Sequence, residues 1–212
     1  MAASYDALAA CLMGAADEAT RQISRALGAA GATGEPYVVA FVHSFHARLA
    51  VLRQDREAAR AAALRAIDIV EEYGFPLLAE HAAITLGWAQ AGQGQPEAGL
   101  AAIERGLAAI ERGLAALHRS GQRILTPFHR GLQAEVILAL GDPQAALALL
   151  DEALAECAGH GGSFSAPALH QLRGLALDAL GRDDEARAAR EAAATPAREQ
   201  GACAPNLTSP PP

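Results

Sequence analysis

The feature that most constrains this chain is a recurring triplet of small residues, spaced twelve and then seven positions apart. Five sets fit it: Ala7, Ala19 and Ala26; Ala47, Ala59 and Ala66; Gly87, Gly99 and Gly106; Ala134, Ala146 and Ala153; Gly174, Ala186 and Ala193. Successive sets begin 40, 40, 47 and 40 residues apart. Alanine fills 54 of 212 positions, so a single match means little, but a constant internal spacing across five sets means a repeat. Self-similarity at such a period marks stacked supersecondary units that bury a continuous core between neighbours.

The units read as helical. Alanine is the strongest helix former, and the aromatic residues that favour strands make up only 4% of the chain. A breaker or polar turn falls between the first and second residue of every triplet: Gly14, Arg53-Gln54-Asp55, Gly92-Gln93-Gly94-Gln95-Pro96, Gly141-Asp142-Pro143 and Gly181-Arg182-Asp183. Each turn splits its unit into an A helix and a B helix. The A helices are expected near 2–12, 36–52, 76–91, 124–139 and 165–180, and the B helices near 16–30, 55–72, 96–119, 143–158 and 183–199. Pro96 and Pro143 sit where a helix accepts proline, at its first position, and Asp142 and Asp183 read as N-caps. Ile23, Leu27, Ile67, Ile103, Leu150 and Leu154 fill the seam between paired helices.

The expected fold is therefore all-α, a right-handed solenoid of about five antiparallel helix pairs over residues 1–200. Its units run about 1–32, 33–73, 74–120, 121–160 and 161–200, with looser linkers at 28–36, 73–76, 120–122 and 159–165. Residues 201–212 carry four prolines and almost no apolar content, which predicts a disordered tail. The 47-residue interval has a visible cause, because residues 101–107 (AAIERGL) are repeated verbatim as residues 108–114. Seven residues turn a helix to within roughly 20° of two full turns. The inserted heptad therefore keeps the apolar face in phase while lengthening the helix by about 10 Å, so it projects beyond the stack or bulges the following linker.

A helix–turn–helix unit with small residues at these positions resembles the tetratricopeptide repeat. Three stretches carry a narrower resemblance: Glu71-Glu72-Tyr73-Gly74-Phe75-Pro76, Leu86-Gly87-Trp88-Ala89 with Gly94-Gln95-Pro96-Glu97-Ala98-Gly99, and Leu169-His170-Gln171-Leu172-Arg173-Gly174. With these, residues 5–195 resemble the tetratricopeptide-like C-terminal region of bacterial signalling ATPases, which carry a class III cyclase domain or a LuxR-type DNA-binding domain elsewhere. The cyclase domain, the ATPase P-loop and the DNA-binding helix–turn–helix have no counterpart here, so the resemblance transfers no catalytic residue. Aligned on the second unit, the first A helix would begin before Met1. The chain thus reads either as a scaffold or as a detached repeat region of such a regulator.

Candidate chemistry is sparse. All seventeen basic residues are arginine, which excludes a lysine nucleophile, a Schiff base and a P-loop lysine. A net charge of -7 argues against a nucleic-acid partner. No secretion signal or apolar run of membrane-spanning length is visible, and three scattered cysteines, Cys11, Cys157 and Cys203, suit a reducing cytoplasm. His43 and His46 share a helix face but lack further metal ligands nearby, and His81, His118, His129, His160 and His170 read as packed or solvated. Glu71-Glu72 and Asp183-Asp184-Glu185 read as solvated helix ends, and Gly161-Gly162 lacks the strand-to-helix context of a nucleotide loop. The expectation is no catalytic, cofactor-binding or metal residue and no cofactor. A protein or peptide partner would lie on a concave face lined by A helices, where His43, Arg48, Gln90, Gln133, Gln171 and Arg173 are the polar candidates. Trp88 and Phe128 could anchor such a ligand or pack in the core.

Overall fold

A computed structural model of the chain describes residues 1–117, 125–159 and 164–199. Within them the chain forms ten helices and no strand: α1 (Ala2–Leu12), α2 (Ala16–Thr33), α3 (Pro36–Leu52), α4 (Arg56–Tyr73), α5 (Pro76–Ala91), α6 (Pro96–Leu117), α7 (Thr126–Ala139), α8 (Pro143–Gly159), α9 (Ala166–Ala179) and α10 (Asp183–Glu199). Each odd-numbered helix pairs with the even-numbered helix that follows it, and the pairs stack in chain order into a helical solenoid.

The small-residue triplets are the seam of each pair. All fifteen residues are buried, and Ala7, Ala19, Ala59, Ala66, Ala134, Ala146, Ala153 and Ala186 are fully so. The third pair uses glycine because its helices leave no room for a Cβ at the crossing. A Cβ at Gly87 would stand 2.6 Å from the Gly99 carbonyl oxygen, and a Cβ at Gly99 would collide with the Gly87 carbonyl. Between the helices of every pair, the chain reverses through one left-handed residue seven positions after the first small residue. These are Gly14, Gln54, Gly94, Gly141 and Gly181, with φ of 76°, 57°, 88°, 86° and 70°. Four are glycine, which adopts that conformation without steric cost, and Gln54 is the exception.

Capping follows the local sequence. Asp55 and Asp142 accept from the amides of Ala58 and Ala145, at 2.9 and 3.0 Å. Asp183, expected as an N-cap, instead lies inside the first turn of α10, where it favours the helix through the macrodipole together with Asp184 and Glu185. The expected linker from Gly28 is also shorter than the composition suggests. α2 continues to Thr33 and closes on Gly34 at φ 65°, because Ala30 is buried and rewards the extra turn. In α6, Ile110 of the second heptad copy is 4% exposed, like its counterpart Ile103 at 0%, so the duplication keeps its apolar face on the stack. The linker after α6, His118, His160, the Gly161-Gly162 stretch and the proline-rich end lie outside the described residues.

Curvature sets which face is which. α1 packs on α3, α3 on α5, α5 on α7 and α7 on α9, while the even-numbered helices make no comparable contact with one another among the described residues. The crowded row is the inside of the curve, so the odd-numbered helices line the concave side.

Candidate functional site

One stripe of α3 faces the inside of the curve. Tyr37, Phe41, Phe45, Arg48 and Leu52 recur every three or four residues and therefore share a helix face. The stripe sinks as it runs: Tyr37 is 46% exposed, whereas Phe45, Arg48 and Leu52 are 4, 7 and 6% exposed. Its rings form a connected set. Phe41 and Phe45 lie 4.6 Å apart by centroid, Tyr5 of α1 meets Phe45 edge-on at 4.7 Å, and Phe75 meets Tyr37 edge-on at 5.2 Å.

Arg48 is the unusual member. Its guanidinium carbon sits 4.6 Å from the centre of the Phe45 ring, a cation–π contact. No carboxylate reaches it among the described residues, and burial pushes its pKa down to about 10, so it remains a cation at neutral pH.

The next two inner helices place histidines beside it. His81 of α5 and His129 of α7 are in ring contact at 4.9 Å. Burial is the main cause that lowers the pKa of His81 to about 3 and of His129 well below the ordinary value, and the charge of Arg48 adds to both. Both rings are therefore neutral at physiological pH. Sealed polar atoms without a partner also gather on this side, since Ser4 Oγ and the Nδ1 atoms of His43, His81 and His170 all belong to odd-numbered helices.

Behind the inner row, a polar clamp ties separate repeats. Arg56, at the start of α4, lies 4.1 Å over the Trp88 ring and donates to the Trp88 carbonyl and to Glu135 Oε1, each at 2.7 Å. Trp88 Nε1 donates to the other Glu135 oxygen at 2.9 Å, and the Gln54 side chain lies close to this carboxyl. Burial raises the Glu135 pKa in spite of these bonds. Gln54 thus occupies the left-handed turn position where the other repeats have glycine, with its side chain beside Glu135 of α7. Beside the clamp, Leu52, Phe128, Leu132, Glu135, Leu169 and Leu172 line a small, mostly apolar hollow between α3, α7 and α9.

The sequence candidates divide accordingly. Trp88 is 0% and Phe128 5% exposed, so both pack in the core and neither is free to anchor a ligand. Arg173 is engaged by Asp151 of α8 at 2.7 Å. His43, Gln90, Gln133 and Gln171 lie half-buried on the inner helices. Arg48 stands out among the six polar candidates as a nearly buried cation. Arg56, Gln54 and Glu135 carry no sequence signal, because Arg56 and Glu135 are 79 residues apart. Among the described residues, no three His, Cys, Asp or Glu side chains converge on a common point where a metal could sit, and no helix is long and apolar enough to cross a membrane. Cys11 and Cys157 are buried free thiols.

No family model matches the sequence, and no curated protein matches it. Solved structures do match in fold. The chain superposes on Bacillus thuringiensis PlcR, solved in complex with the peptide PapR7 and DNA, with a TM-score of 0.69 at 15% identity. That match covers 94% of this chain and 69% of the PlcR chain. It also superposes on the TPR-like repeats of a putative kinesin light chain from Podosopora anserina with a TM-score of 0.53 at 19% identity, covering 94% of this chain and 95% of the other. A point variant of those repeats gives a TM-score of 0.53 at 18% identity, covering 95% and 96%. Ten helices stacked in pairs among the described residues, with neighbours of this kind, give the chain a tetratricopeptide-like helical-repeat fold.

Proposed function

We propose that this chain is a non-catalytic scaffold that binds a protein segment or peptide along the inner row of odd-numbered helices, in a bacterial signalling or regulatory setting. The observation that carries the reading is the α3 stripe, which places exposed and half-buried aromatic rings beside a buried cation on the concave side. Aromatic and arginine side chains concentrate in binding hot spots because they offer large contact area and directed donors. PlcR, with its bound peptide, supports the same use of a similar fold. The regulatory setting draws on the resemblance of the three sequence stretches to repeat regions of cyclase-linked and LuxR-type ATPases. A lone cation on a chain of net charge -7 favours a peptide over a nucleic acid, whose affinity needs rows of cations on phosphates. Binding inside the cell, in the cytoplasm, fits a chain with three scattered cysteines.

The test is selection of ligands from a random-peptide display library by the purified chain, followed by amide hydrogen exchange of the complex. The expected result is protection concentrated on α1, α3, α5 and α7. Protection confined to the even-numbered helices, or no peptide retained at all, would overturn the reading.

A further inference from the structure

We infer that Trp88 and Glu135 form a seat for one arginine side chain of the bound peptide, and that Arg56 is its built-in occupant, displaced when the peptide binds. The inference rests on the groove reading above and adds the chemistry of the ligand to it. Three features that recognise a guanidinium meet at this point. The Arg56 guanidinium carbon lies 4.1 Å over the Trp88 ring, its Nη2 donates to Glu135 Oε1 at 2.7 Å, and its Nη1 donates to the Trp88 carbonyl at 2.7 Å. An aromatic floor, a carboxylate and a carbonyl together favour a planar cation over a neutral group of the same shape. Trp88 Nε1 holds the second Glu135 oxygen at 2.9 Å, so the carboxylate is aimed by the inner helices themselves.

The origin of the cation sets this cluster apart. Trp88 and Glu135 belong to α5 and α7 of the inner row, whereas Arg56 reaches in from α4, an even-numbered helix. Ion pairs such as Arg130–Glu156 and Arg173–Asp151 join adjacent helices, but Arg56 passes over a whole repeat to meet Glu135. Gly92, at the end of α5, makes that passage possible. Its φ of -74° suits any residue, yet a Cβ there would collide with the Arg56 side chain at Cδ, Nε and Cζ. The glycine thus makes way for the arginine and answers no need of the backbone. Arg56 is held only by the far end of a flexible side chain and is 29% exposed, so a competing cation can reach the pair. The small apolar hollow beside Glu135, between α3, α7 and α9, offers an apolar surface to the methylene stem of an incoming arginine. The net charge of -7 draws cationic ligands to the chain at longer range.

Trp88 is the sole tryptophan, so its emission reports the seat directly. The probes are the blocked tripeptide acetyl-Gly-Arg-Gly-amide and its neutral isostere with citrulline in place of arginine. Arg56→Ala empties the seat. It is expected to bind the arginine tripeptide at least roughly tenfold more tightly than the unaltered chain does, and by a similar factor over citrulline. Gly92→Ala evicts the Arg56 tip without removing its charge, so it should shift affinity the same way by a smaller factor; it also keeps the test open if Arg56→Ala folds poorly. Adding Glu135→Gln to Arg56→Ala should abolish the preference for arginine. If Arg56→Ala binds both tripeptides alike, or binds arginine no better than the unaltered chain, the cation seat is wrong while the groove reading stands on the display selection. If the selection retains no peptide and Arg56→Ala still prefers arginine, the groove reading fails and the cation seat survives it.

Discussion

The two most buried ionisable groups of the inner row oppose folding in different ways. Arg48 is held charged at 7% exposure with only a ring beneath it. Replacing such a cation by an apolar chain of similar length removes its desolvation cost. Arg48→Met is therefore expected to raise stability by about 1–4 kcal/mol, read from the urea midpoint at unchanged m. His129 is fully buried and neutral, with its pKa lowered well below the ordinary 6.5. A histidine with a depressed native pKa takes up its proton only on unfolding once the pH drops below the unfolded value. Its stabilisation is thus present above about pH 6.5 and is lost as the pH falls. Between pH 7 and 5 the unaltered chain should therefore lose more stability than His129→Leu does, as read from urea midpoints at the two pH values. Equal pH slopes for the two proteins would count against a neutral, buried His129.

At the scale of the element, each helix pair is defined by how closely its backbones can approach. In four repeats alanine suffices for most of the seam, but α5 and α6 cross so tightly that Gly87 and Gly99 face one another's carbonyl oxygens. Gly87→Ala puts a methyl group 2.6 Å from the Gly99 oxygen, a backbone atom that cannot step aside. The expected loss is about 1–3 kcal/mol, measured by denaturant unfolding, despite alanine's better helix propensity. A substitution that stabilised the protein would mean the pair is not in contact there. The duplicated heptad follows the same logic of register. Ile103 and Ile110 are equivalent in the two copies and both are buried, so the added turns are packed on the stack at least as far as Ile110. Deleting residues 108–114 should lower stability by at least the roughly 2 kcal/mol that burial of one isoleucine supplies.

Across the whole molecule, the clamp of Arg56, Trp88 and Glu135 joins the second, third and fourth helix pairs. A repeat protein otherwise holds its curvature through nearest-neighbour contacts alone. Here a partly buried carboxylate receives bonds from two earlier repeats and fixes how α3 and α4 lie against α7. Glu135→Leu leaves the Arg56 guanidinium and the Trp88 indole N–H without their acceptor. With Arg56 29% exposed, water recovers part of the loss, and a cost of about 2–3 kcal/mol is expected. The hollow beside the clamp would widen with it, which faster amide exchange in α3, α7 and α9 relative to α1 and α2 would report. A uniform rise in exchange over all ten helices would instead mean a purely global effect.

The ten helices among the described residues, their pairing and the seam are all legible in the sequence. Those features depend on local spacing: small residues twelve and seven apart, prolines at helix starts, and turns placed seven residues after Ala7, Ala47, Gly87, Ala134 and Gly174. It also supplied Arg48 as one of six polar candidates, without a reason to prefer it. Where the sequence reading misled, the cause was tertiary: residues 28–36 read as a linker, but burial of Ala30 keeps α2 helical to Thr33. Trp88 could be ligand anchor or core by its sequence context, and only the arrival of Arg56 and Glu135 against it decides for the core. Only the stacked helices decide that Arg48 has an aromatic floor and no acid, because that depends on which side chains α1, α5 and α7 bring to α3. Helix periodicity is written every three to four residues along the chain, whereas the charge balance of a buried point is set by groups tens of residues apart.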